Sequence, residues 1–167
     1  MGPLSNTAYL IGYIISNVVA ILLVIAAIKR PKLARLLFFL LFAWAFSMNY
    51  YVSHQRPEAY LEYADEALPF YRNFINGWFS EHITEMVSLI AFGQALIAMG
   101  MLLKGWWVKF SCIGAIIFFM SIAPLGLYAG FPFSIIASIA AIFILKNDDL
   151  NFLWKFRSAR THSEIAN

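Results

Sequence analysis

Most side chains able to do acid–base or metal chemistry fall between residues 54 and 85: His54, Glu58, Glu62, Asp65, Glu66, Glu81, His82 and Glu85. Histidine together with carboxylates is a ligand set for a divalent transition metal. The stretch "SEHITEM" places His82 and Glu85 three residues apart, on one face of a helix. No HExxH or ExxH pattern accompanies them, and His54 would have to come from a different helix end. Interfacial polarity therefore accounts for these residues more economically than a metal centre. Glu85 is the strongest candidate of the group, because it lies just inside a long apolar stretch. Ionisable groups at membrane depth are costly and often functional.

Two amides interrupt otherwise apolar runs. Asn17 stands near the middle of the first, and Gln94 near the middle of "AFGQALIAMG". At similar depth in two helices they can pair with each other, an interhelical hydrogen bond worth about 0.6 kcal/mol on average in membranes. The functional alternative is a polar contact for a ligand head group, such as a quinone carbonyl. Around Gln94 stand Ala91, Gly93, Ala95, Ala98 and Gly100, with a matching small patch at Gly114 and Ala115. Small residues let helices approach closely in lipid. Trp44, Trp106 and Trp107 read as packing and belt residues. No Walker loop, nucleophile elbow or pair of intramembrane histidines for heme is present, so no self-sufficient catalytic motif emerges.

The elements that must position these groups are membrane helices. Of the 167 residues, 62% are hydrophobic and 13% charged, where a soluble domain carries about a quarter charged. Mean hydropathy is +0.73. One cysteine, Cys112, excludes an internal disulfide and a CxxC pair. A span needs about 20 mostly apolar residues, and five segments qualify: 8–28, 36–53, 84–103, 110–128 and 129–145. The last two come from one uncharged stretch of 36 residues, roughly 54 Å as a single helix and too long for a core of about 30 Å. It must fold back, at Pro124, Gly126, Gly130 and Pro132 in "APLGLYAGFP". The expected fold is an all-α integral membrane bundle of five transmembrane helices over residues 1–145, with a tail at 146–167. The short fifth span is also compatible with partial insertion. The first apolar run does not read as a signal peptide, since no cation precedes it, and "MGPLSN" misses the myristoylation pattern at Asn6.

With five spans, ten of the twelve Lys and Arg residues fall on one side. These are Lys29, Arg30, Lys32 and Arg35, then Lys104 and Lys109, then Lys146, Lys155, Arg157 and Arg160; only Arg56 and Arg72 oppose them. The positive-inside rule puts the N-terminus outside and the C-terminus in the cytoplasm. The net charge of +3 thus reflects topology and contact with anionic lipid, and argues against nucleic acid. The long external segment carries Tyr60, Tyr63, Ala67, Tyr71, Phe74 and Trp78 at helical spacing, interrupted by Pro69. It reads as an amphipathic element lying on the surface, either a plain tether or a lid over a lateral ligand entrance. In the tail, "NFLWKFR" suits an interfacial anchor, and "RTHSEIAN" reads as disordered.

From Arg35 to Leu145, about two-thirds of the chain, the order of features resembles the DoxX-like family of small bacterial membrane proteins. That pattern places a helix with a "GxGELxxGxxLxxG" core after an external connection, then a short basic turn and further apolar helices. "AFGQALIAMGMLLKG" matches at Gly93, Leu96, Gly100 and Leu103, and "KGWWVK" stands at the basic turn. Two features depart from it: Gln94 replaces the family's acidic residue, and the first helix is an addition to a four-helix unit. The resemblance implies a subunit or binding module of a bacterial cytoplasmic membrane, with a larger membrane redox complex as partner or quinone as cofactor. The alternative is a small-solute or lipid transporter acting as a homo-oligomer, with Asn17, Gln94 and Glu85 along its path.

Overall fold

The computed structural model describes residues 7–154. The opening "MGPLSN", the cations Lys155, Arg157 and Arg160, and the segment "RTHSEIAN" lie outside the described residues. Helix α1 (Thr7–Lys29) is followed by α2 (Pro31–Gln55), a 3-10 segment (Pro57–Ala64) and the short α3 (Pro69–Phe74). A wide π turn (Ile75–Phe79) leads on to α4 (Ile83–Leu102) and α5 (Trp106–Ile122). Two 3-10 turns (Ala123–Leu125 and Leu127–Ala129) precede α6 (Phe133–Asn147). Among the described residues, five segments are long and apolar enough to cross a membrane: Tyr9–Lys29, Pro31–Gln55, Ile83–Leu102, Trp106–Leu125 and Leu127–Asn147. The protein is an all-α bundle of membrane-spanning type.

The span boundaries shift where charge was read as loop. The second span begins at Pro31 rather than 36, taking Lys32 and Arg35 into the helix, and the fourth begins at Trp106 rather than 110, taking in Lys109. Proline tolerates the first helical turn because its missing N–H has no partner there anyway. The fold-back sits slightly earlier than expected, at Gly126 (φ +80°). Glycine is needed there twice over, since a Cβ would also lie 2.7 Å from the Glu66 carbonyl oxygen. The last candidate span, Leu127–Asn147, counts 21 residues with its leading 3-10 turn, and α6 itself supplies 15 of them.

Helix α2 packs chiefly on α4, α1 on α6, and α5 on both α6 and α4. The interior holds a ring cluster of Phe38, Phe42 and Phe119 among small residues such as Ala98, Ala115, Ala137 and Ala141. Large apolar side chains point outward on every long helix, among them Ile14, Leu40, Leu89, Ile117 and Ile142. A water-soluble surface rarely carries so continuous an apolar coat; lipid accepts it. Among the described residues, helix α1 buries only Ala20, Leu23 and Ala27.

The small-residue patch behaves unevenly. At Gly100 an added Cβ would stand 1.9 Å from Ser111 Oγ and 3.1 Å from the Trp107 carbonyl oxygen, so α4 and α5 meet there backbone to backbone. At Gly93 nothing lies within 4 Å of such an atom. Gly100→Val is therefore expected to push α5 off α4 and lower the melting temperature in detergent. Gly93→Ala should be neutral or stabilising, by up to about 1 kcal/mol from helix propensity. Equal melting shifts for the two variants would contradict this packing.

One end of the bundle, carrying the 57–82 segment, is here termed the loop end; the other is the basic end. At the basic end Arg35 is fully buried. Its Nε and Nη2 donate to the Met101 carbonyl at 3.0 and 2.8 Å, and Nη2 also donates to Leu103 O. Its Nη1 donates to Asn151 O at 2.7 Å and pairs with Asp148 Oδ1 at 2.9 Å. The chain after α6 is thereby strapped across the α4–α5 turn, with Gly105 N–H donating to Leu150 O at 2.7 Å.

Candidate ligand cavity

At the loop end the helices enclose a cavity of about 500 Å³, within the range of about 300–1,000 Å³ common for small-molecule sites. Its walls come from α2, α4 and α5, completed by Leu125, Tyr128, Ala129 and Phe133. Ring contacts of Phe42 with Phe118 and Phe119, at 5.7 and 5.3 Å between centroids, close its inner end. The 57–82 segment forms the roof, through Tyr60, Tyr63, Tyr71, Phe74, Ile75 and Phe79.

Local chemistry fixes that roof. Pro69 starts the second short helix, as its position in the sequence suggested, while the first already ends at Ala64. Arg72 bridges the break, donating from Nε to Ala64 O at 3.0 Å and from Nη2 to Ala67 O at 3.3 Å. Leu68 N–H donates to Pro124 O at 3.1 Å, tying the roof to the fold-back turn. Ala64, Ala67, Ile75 and Phe79 are buried beneath it, while Glu62, Asp65 and Glu66 face away. The expected aromatic face is thus largely present. Trp78 is the exception: it points outward and stacks on His82, with ring centroids 4.3 Å apart.

The cavity is mostly apolar with one polar line. Tyr60 Oη donates to Asn49 Oδ1 at 2.9 Å, and Asn49 Nδ2 donates to Gln94 Oε1 at 2.9 Å. All three residues border the cavity, and Gln94 is buried near the middle of α4. Its Oε1 is engaged by Asn49, and its Nε2 has no partner among the described residues. That NH₂ group is a donor available to whatever fills the space.

The expected pairing of Asn17 with Gln94 does not form. Asn17 Nδ2 donates to Tyr13 O of its own helix at 2.9 Å, and its Oδ1 is buried without a partner. The reason is helix order: α1 packs on α6 whereas α4 packs on α2, so the amide that reaches Gln94 is Asn49. The acidic and histidine residues do not converge either. His54 Nδ1 lies 2.7 Å from Tyr50 O and His82 Nδ1 2.9 Å from Trp78 O, each ring turned back on the backbone four residues earlier. Glu85 is exposed. Among the described residues no group of three or more His, Cys, Asp or Glu is placed to hold a metal. Of the sequence candidates, only Gln94 borders the cavity; Asn17, His82 and Glu85 do not. The sequence expectations do not include the Asn49–Tyr60 pair, although an amide within a span is itself a signal.

Burial pushes the Tyr60 hydroxyl up to about 12, with a smaller push from neighbouring Tyr63, and burial raises Tyr63 as well. Both phenols stay protonated in the folded state when an unfolded tyrosine, near 10, would ionise. The folded protein then binds more protons than the unfolded chain, so stability falls as pH rises. Thermal melts are expected to show no contribution from these tyrosines below about pH 10 and a loss between about 10 and 12 that Tyr60→Phe reduces.

No family model, no curated protein and no solved structure matches the chain.

Proposed function

We propose that this protein is a DoxX-like, multi-pass binding module or subunit of a bacterial cytoplasmic membrane, holding a quinone-type ligand in support of quinone-linked redox chemistry. The observation that carries the reading is the Tyr60–Asn49–Gln94 line within an aromatic cavity. Aromatic walls suit a flat apolar ring, and the Gln94 NH₂ supplies one donor for a carbonyl. Pockets of this kind, apolar with a few convergent polar groups, are the usual form of a small-molecule site. The chain's own residues bind and orient; electron transfer belongs to a larger membrane partner. The N-terminus lies outside and the C-terminus in the cytoplasm, following the cation bias of the loops.

The test is affinity isolation from native membranes in mild detergent, with an absorption spectrum of the same sample. A co-purifying redox protein or a quinone spectrum is the expected result. Recovery of the protein alone, with no absorber beyond its aromatic side chains, would count decisively against the reading.

A further inference from the structure

We propose that the cavity is loaded sideways, from the middle of the bilayer past Trp44. Its ligand then has a compact carbonyl-bearing head and a long apolar tail that stays among the lipid chains. This rests on the reading of the cavity as a ligand site and adds the route and the shape of the ligand.

Three of the residues bordering the cavity are themselves exposed: Trp44, Phe74 and Ser121. Phe74 belongs to the roof and Ser121 is the penultimate residue of α5, so both mark the loop end. Trp44 is different. It is the fourteenth of the 25 residues of α2, at mid-span, and is 64% exposed. Tryptophan normally sits at the membrane interface, where its indole N–H reaches polar partners. Here the N–H has no partner among the described residues, and the ring stands between the cavity and the lipid-facing surface. Gln94, the twelfth of 20 residues in α4, lies at similar depth. A head group at Gln94 is therefore level with the opening at Trp44.

The roof offers a poorer route. Ile75 and Phe79 are buried in it, Arg72 clamps its two short helices together, and its backbone is bonded to the fold-back turn. Passage from the aqueous side would break those bonds. Passage beside Trp44 requires only a side-chain rotation at an exposed ring. Trp44 itself is left uncovered by the packing: α1 leans more on α6 than on α2, and among the described residues it buries side chains only from Ala20 onward.

The experiment uses the wild-type protein in lipid nanodiscs and a benzoquinone whose decyl tail ends in a photoreactive diazirine. After illumination, peptide mass spectrometry locates the adducts, and excess unlabelled decyl-benzoquinone serves as competitor. Adducts on residues 41–48, lost on competition, are expected. Competable adducts confined to residues 57–82 would show the tail leaving through the roof and overturn sideways loading, while leaving the quinone reading intact. A second probe, a phospholipid with a diazirine at its acyl terminus, separates the two ideas. If only this probe gives competable adducts at 41–48, with unlabelled phospholipid analogue as competitor, the quinone head falls and sideways loading stands. No competable adduct from either probe overturns the proposal.

Discussion

Arg35→Ala is expected to remove most of the folded protein from detergent extracts. All five guanidinium N–H groups are used, on the carbonyls of Met101, Leu103 and Asn151 and on the Asp148 carboxylate. Both side chains of the ion pair are fully buried. Removing one partner of such a pair typically costs about 3–5 kcal/mol, because the other is left charged and unpaired. Against a total stability of about 5–15 kcal/mol, that is a large share. The nearby Lys32–Asp149 pair, at 3.1 Å, is exposed on both sides, and exposed pairs contribute about 0–1 kcal/mol. Asp149→Asn should therefore shift the melting temperature little. The double variant Arg35→Met with Asp148→Leu removes both charges and is expected to recover part of the loss. Recovery stays partial because the three carbonyls lose their donors. Fluorescence-detected size exclusion and thermal melts of the four proteins check this. An Arg35→Ala protein that melts with the wild type would show that the strap after α6 contributes nothing.

Arg35 also shows where the sequence stops being informative. Hydropathy and the Pro–Gly turn at 124–132 located five spans, since apolar length is a local property. By sequence Arg35 belongs to a basic loop, because a charge normally ends a span. What makes it an interior residue is a set of partners 66 to 116 positions away, and no local pattern announces them. The polar line at the cavity has the same character. Gln94 was visible as an amide among small residues, but its partner depended on which helix lies beside α4. Asn49 belongs to α2 and Tyr60 to the roof, and only the packing of α2 on α4 brings them into register. Trp44 read as an ordinary belt residue. Its meaning comes from being exposed at mid-span and on the cavity at once, which periodicity does not report.

Gln94→Leu is expected to weaken quinone binding about 5- to 150-fold while leaving the bundle folded. One amide has two separable roles. As a packing contact, Gln94 accepts a single hydrogen bond from Asn49, and such bonds in membranes average about 0.6 kcal/mol. Its loss should scarcely move the melting temperature. As a ligand contact, its NH₂ is the donor at the mid-span depth of the cavity, and losing a buried hydrogen bond to a ligand carbonyl costs about 1–3 kcal/mol, which at about 1.4 kcal/mol per tenfold gives the stated range. Asn49→Leu tests the line from its other side. It removes the acceptor of Tyr60 and the donor that holds Gln94 Oε1, so the Gln94 amide is free to turn and binding should fall by less. Because Asn49 acts through Gln94, the double variant should bind no worse than Gln94→Leu alone. Gln94→Glu exchanges the NH₂ for a carboxyl group, which presents acceptors only when ionised and one O–H donor when protonated. Binding of a carbonyl head should therefore fall as pH rises through the titration of the introduced carboxyl. The readout is a titration of decyl-benzoquinone into protein in nanodiscs, followed by tryptophan fluorescence and paired with a melt of each variant. Wild-type affinity in Gln94→Leu would reduce the amide to a contact between α2 and α4, and the cavity would then need a different occupant.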